Sequence, residues 1–147
     1  LDAPSAFVLS RQGLAPLEGG VFGEVKNGAY LLKKSENAKI TFVASGSEVE
    51  LCLKAHEILS GDGIATNVVS APCFDLLCEQ SGEYLDKILD KNSVVIAVEA
   101  SRGLEWFKFA DHVYGMKGFG ASGKAAELFS HFGFEPTALS EFAKGVL

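Results

Sequence analysis

Apolar residues follow two alternating rhythms along this chain. From about residue 28 onward, short unbroken apolar runs are separated by stretches in which apolar residues return every three or four positions. Residues 29–32 (Ala-Tyr-Leu-Leu), 40–44 (Ile-Thr-Phe-Val-Ala), 66–70 (Thr-Asn-Val-Val-Ser) and 94–98 (Val-Val-Ile-Ala-Val) read as strands, with a shorter one at 112–114. The run at 94–98 shows no alternation, so it is expected to be covered on both faces, as in the middle of a parallel sheet. From Ser47 the period lengthens. Val49, Cys52, Leu53, His56 and Leu59 form a helical stripe, opened by Ser47 and Glu50 at capping-box spacing and closed by Gly61 and Gly63. Helical pieces over 74–89 are interrupted at Gly82, and two more helices are expected near 122–131 and 136–144.

This alternation predicts an α/β fold, a three-layer α/β/α sandwich on a mostly parallel sheet. The turn between 29–32 and 40–44 is short, so the residue pattern by itself pairs those two strands as a hairpin. Residues 5–10 (Ser-Ala-Phe-Val-Leu-Ser) also read as a strand. Residues 13–27 hold Gly13, Gly19, Gly20, Gly23 and Pro16 and read as a linker or long loop. A lone strand ahead of a linker is the expected end of an upstream domain. The chain, which opens on Leu1, is therefore read as an excised piece: a tail and linker at 1–27, then a domain at 28–147.

At 147 residues the chain suits one domain with a real core. The net charge of −6, with basic residues scattered rather than clustered, excludes nucleic acid as the expected partner. No apolar run approaches the ~18 residues of a membrane span. Cys52, Cys73 and Cys78 are odd in number, with no C-x-x-C pair, which leaves neither a disulfide framework nor a zinc site and suggests a reducing compartment.

Gly118-Phe119-Gly120-Ala121-Ser122-Gly123-Lys124-Ala125 satisfies G-x-G-x-x-G and nearly fits a phosphate-binding loop. Ala125 stands where such a loop needs Ser or Thr, and the ~22 residues after Gly123 are too few for a nucleotide-binding half. A glycine-rich turn between strand and helix is the simpler reading. Ser45, Gly46 and Ser47, at the carboxyl end of the second strand and opposite Glu99, Ser101 and Arg102, are candidates for holding an anion with Arg102. Ser47 as a plain helix cap is the simpler alternative. His56, His112 and His131 have no partner at triad or metal-ligand spacing, so no catalytic or metal-ligating residue is assigned. Residues 106–109 (Trp-Phe-Lys-Phe) are a candidate packing surface.

Leu9-Ser10-Arg11-Gln12 with Leu14 and Pro16, then Gly28-Ala29-Tyr30-Leu31-Leu32, Ala44-Ser45-Gly46-Ser47-Glu48-Val49, Val98-Glu99-Ala100, Phe119-Gly120-Ala121-Ser122 and Phe132-Gly133-Phe134 follow one another in order. In that order they resemble the C-terminal domain of transketolases, the Ser-Arg-Gln triplet pointing to transketolase or dihydroxyacetone synthase among thiamine-dependent enzymes. The resemblance implies a mixed five-stranded sheet in the order 1-3-2-4-5, strand 1 antiparallel. It implies an upstream pyrimidine-binding domain ending within 1–27. It also implies a cytoplasmic homodimer of the pentose phosphate pathway that moves a two-carbon ketol unit between sugar phosphates. The thiamine diphosphate and the divalent metal (Mg or Ca) would be held by upstream domains, none being bound by this stretch. Arg11 matches the arginine that binds the sugar's phosphate. The alternative is a nucleotide- or anion-binding regulatory module of a thiamine-dependent enzyme.

Overall fold

The computed structural model describes residues 4, 6–10, 12–17 and 22–147. Among them, five strands form one sheet in the order β1-β3-β2-β4-β5: β1 (Tyr30–Lys33), β2 (Ile40–Ala44), β3 (Thr66–Ser70), β4 (Val94–Glu99) and β5 (His112–Gly115). β2 runs parallel to both β3 and β4, β4 runs parallel to β5, and β1 lies antiparallel on β3, with Tyr30 opposite Ser70. The mixed sheet implied by the resemblance is therefore present, and the hairpin is not. A short turn allows a hairpin but does not require one. Here the edge of β3 is the free neighbour, because β2 is already paired on both sides.

The strand pleat divides the core into two layers. Ile40, Phe42, Ala44, Val68, Ile96 and Val98 face α1 (Glu48–Gly61) and α5 (Pro136–Gly145), with Phe129 of α4 (Ala125–His131) packed at the margin. Val43, Val69, Val95 and Ala97 face the opposite layer, where Leu77 of α2 (Phe74–Cys78) and Ile88 of α3 (Gly82–Leu89) cover them together with Trp106. Every residue of β2 is fully buried, which is the consequence of helices on both faces. Polar residues within this sheet are satisfied. The Thr41 hydroxyl lies 2.6 Å from that of Ser93, and Asn67 Oδ1 accepts the backbone N–H of Ser35 at 2.9 Å.

Several local expectations change. The capping box does not form: Ser47 already has helical φ/ψ, so its hydroxyl donates to Glu48 Oε1 at 3.1 Å instead of accepting a backbone N–H. Glu50 pairs outward with Lys54 at 2.6 Å. The break at Gly82 is the start of α3, where Ser81 Oγ accepts the N–H of Tyr84 at 3.2 Å. The linker expected at 13–27 contains a 3₁₀ helix, Phe22–Asn27, tied to α3 by Lys87 and Glu24 at 2.9 Å. The strand expected at 5–10 is absent from the described residues 6–10, which have no regular structure; Phe7, Val8 and Leu9 are exposed and no strand pairs with them. A strand exists only through its ladder. Of the expected aromatic packing surface, Trp106 is buried and meets Phe74 edge-on at 5.0 Å, whereas Phe107 is exposed.

Candidate functional site

In this strand order the connection leaving β2 goes to β3 on one side, while the one leaving β4 goes to β5 on the other. The switch point lies between the carboxyl ends of β2 and β4, where open α/β sheets hold their ligands. The sequence candidates Ser45, Gly46 and Ser47 sit there, between β2 and α1. Gly46 has φ +51, and a methyl group built on it would lie 3.4 Å from the Ser10 hydroxyl, so the described part of the N-terminal segment runs against this turn. Arg102, in the loop after β4, is exposed. Arg11 lies outside the described residues.

The turn is dominated by two carboxyl groups. Glu99, the last residue of β4, accepts at Oε2 from Ser45 Oγ (3.3 Å) and from Trp106 Nε1 (3.4 Å). Glu48, the first residue of α1, is 5% exposed. Burial, and then the charge of Glu99, push the Glu48 carboxyl above its ordinary value, against the opposing pull of its backbone and Ser47 hydrogen bonds. Burial also raises Glu99, outweighing the lowering by its Trp106 and Ser45 donors, with Glu105 adding to the rise. Anions bound here would lie beside both carboxyl groups. Sequence reasoning singled out Ser45 and Ser47 but passed over Glu48. An acid in the first turn of a helix reads as a solvent-facing partner of the helix dipole, and only its tertiary surroundings reveal that it is buried.

A groove of about 340 Å³ adjoins the turn, between Gln12 and Leu14 of the N-terminal segment, Ser47 of the turn, Leu51 of α1 and Phe129 of α4. The glycine-rich stretch 118–124 is an exposed loop ahead of the seven-residue α4, with Phe119 fully exposed. The histidines take packing roles: His56 Nδ1 lies 2.7 Å from Thr66 Oγ1, and the His131 ring stacks edge-on against Phe132 at 4.8 Å. Cys52 is buried, and burial pushes its thiol well above the ordinary value, so it behaves as a small hydrophobe. Among the described residues no group of three or more His, Cys, Asp or Glu could hold a metal ion, and no helix is long and apolar enough to cross a membrane.

The family described as Transketolase-like TK C-terminal domain matches residues 28–135. The chain belongs to the transketolase C-terminal domain family. Transketolase 1 of Saccharomyces cerevisiae is 40% identical over 141 residues, and Transketolase 1 of Candida albicans 38% over the same length; each alignment covers 96% of this chain and 21% of the relative. The crystal structure of transketolase from Campylobacter jejuni superposes with a TM-score of 0.90 at 51% identity, over 97% of this chain and 22% of that one. A transketolase from Pichia stipitis, in complex with sedoheptulose 7-phosphate, superposes with a TM-score of 0.87 at 38% identity, over 92% of this chain and 20% of its own. The chain thus spans about a fifth of the length of the transketolases it matches. Sheet order, strand directions and family agree.

Proposed function

We propose that this chain serves as the C-terminal domain of a transketolase, within a longer polypeptide that transfers a two-carbon ketol unit from a ketose phosphate to an aldose phosphate. The observation that carries this reading is the match of nearly the whole chain to about a fifth of transketolases from several organisms. Residues 1–27 are the tail of the upstream domain and its linker, and 28–147 the C-terminal domain. The assembly is a cytoplasmic homodimer. Sugar phosphates as substrates are supported by the sugar-phosphate complex of the Pichia stipitis relative.

The residue of this chain that meets substrate is Arg11. Its guanidinium, always charged and planar, offers paired N–H donors to a phosphate dianion and so orients the sugar without taking part in bond making. Thiamine diphosphate supplies the carbanion chemistry when bound. In this reading the cofactor and its divalent metal, Mg²⁺ or Ca²⁺, are held by the upstream domains. Ser45, Gly46, Ser47 and Arg102 are given a structural role at the domain's junction, since an anion there would face Glu48 and Glu99. A nucleotide-binding regulatory module is the less favoured reading.

Replacing Arg11 with alanine in the full-length polypeptide is expected to raise KM for phosphorylated sugars roughly 10- to 100-fold, the loss of a charged hydrogen-bonding partner. Thiamine diphosphate affinity stays unchanged. An unaltered KM removes Arg11 from the site.

A further inference from the structure

Asn27 is the one asparagine of this chain that is followed by glycine; Asn37, Asn67 and Asn92 precede Ala38, Val68 and Ser93. An Asn-Gly pair is chemically reactive, because glycine has no side chain to keep its own nitrogen away from the preceding side-chain amide. The Gly28 nitrogen, giving up its proton, can bond to Asn27 Cγ, and the side-chain amide nitrogen then leaves as ammonia. Water opens the resulting cyclic imide at either carbonyl. Opening at Cγ gives aspartate. Opening at the main-chain carbonyl gives isoaspartate, in which the backbone runs through the former side chain. Water is consumed and ammonia released, with no change of oxidation state.

The closed fold withholds this reaction. The Gly28 N–H is already donated to the Val25 carbonyl at 3.0 Å, at the end of the 3₁₀ helix Phe22–Asn27. Gly28 is buried, and its carbonyl accepts the Cys73 N–H at 3.0 Å; next to it, the Ala29 carbonyl accepts the Tyr84 hydroxyl at 2.8 Å. With the main chain held on both sides, the Gly28 nitrogen cannot turn toward the half-buried Asn27 side chain. The restraint on the helix side is slight. A 3₁₀ helix has poorer hydrogen-bond geometry than an α-helix, Val25 and Lys26 are exposed, and the Lys87–Glu24 pair at 2.9 Å is solvent-facing and worth little. Such an element opens locally at far less cost than the whole fold.

We propose that Asn27 is a deamidation site gated by the junction of the 3₁₀ helix, β1 and α2: opening of the junction frees the Gly28 nitrogen for attack, and the product keeps the junction from closing again. Isoaspartate lengthens the main chain by one carbon at its tightest point. A Cβ built on Gly28 would already lie 2.3 Å from the Leu77 nitrogen, so there is no room to take up the extra length. Aspartate keeps the backbone but sets a carboxylate three residues after Glu24. Side chains at that spacing eclipse each other in a 3₁₀ helix, so the new charge repels the partner of Lys87.

Peptide mapping by mass spectrometry of the 147-residue chain, aged in mildly alkaline buffer with and without denaturing urea, tests this. In denaturing urea Asn27 should convert before the other asparagines. In the folded chain its conversion should be roughly 10- to 100-fold slower. It should rise only weakly with urea below the unfolding transition, because a local opening exposes little surface. Tyr84→Phe, which deletes the hydroxyl on the Ala29 carbonyl, should speed the folded-state conversion roughly two- to tenfold and leave the rate in denaturing urea unchanged. Chain converted in urea and returned to buffer should unfold at a lower urea concentration than unconverted chain. Equal rates in the folded and unfolded chain, or an Asn27 that lags the other asparagines in urea, overturn the site. A folded-state rate that climbs steeply with urea, in step with global unfolding, overturns the gate, as does one that Tyr84→Phe leaves unmoved. An unshifted unfolding midpoint overturns the barred closure.

Discussion

Replacing Gly28 with alanine is expected to destabilise the chain by about 3–5 kcal/mol, one of the two largest single-residue effects in this fold. Gly28 has φ +85, where an L side chain costs roughly 1–2 kcal/mol before any contact is counted. A Cβ built there would lie 2.3 Å from the Leu77 nitrogen, 2.5 Å from the Cys73 oxygen and 2.8 Å from the Leu76 carbonyl carbon. All three are backbone atoms of α2 or its cap, so no side chain can swing aside. The approach has a purpose: the Cys73 N–H donates to the Gly28 carbonyl at 3.0 Å, and the Tyr84 hydroxyl donates to the neighbouring Ala29 carbonyl at 2.8 Å. Gly28 is thus the point at which α2 and α3 are fastened to the entry of β1. Denaturant unfolding of Gly28→Ala checks this; a loss below about 1 kcal/mol means that α2 can shift to make room, contrary to the packing described.

The second large effect is at Phe42. It is fully buried in the middle of β2, between strands on both sides and under α1. Phe42→Ala removes its apolar area and leaves a cavity that neighbours held by ladder hydrogen bonds cannot fill, at an expected cost of about 3–5 kcal/mol. Phe119→Ala makes the control, because Phe119 is fully exposed and its loss should stay within about 0.5 kcal/mol. A drop in the denaturation midpoint for Phe42→Ala with an unchanged slope reports lost stability alone. Equal effects at both positions contradict the assignment of β2 as the core strand.

These two residues also show what sequence could and could not reveal. Phe42 was legible: the run 40–44 is apolar and bounded by polar turns, and its boundaries and those of the strand at 66–70 match the structure. Gly28 was visible only as part of a resemblance, because the reason for glycine is the backbone of α2, about 50 residues away. Strand pairing was out of reach for the same reason. Local spacing favoured a hairpin, whereas β1 pairs with β3 across the intervening α1, and only the resemblance supplied the right order. At the candidate site, Ser45 and Ser47 were found by their place after a strand. The capping role expected of Ser47 failed because φ/ψ at a helix start is set by the turn, here by the N–H groups of Glu48 and Val49 on the carbonyls of Ser45 and Gly46. Burial of Glu48 is set by tertiary packing, which no local pattern announces.

In the function proposed above, this domain supports a reaction whose cofactor is bound by other parts of a longer polypeptide. Isothermal calorimetry of the 147-residue chain with thiamine diphosphate and Mg²⁺ tests it most directly. No heat of binding is expected at micromolar ligand, with the same titration of the full-length polypeptide giving a saturable signal. Saturable micromolar binding by the 147-residue chain would contradict it.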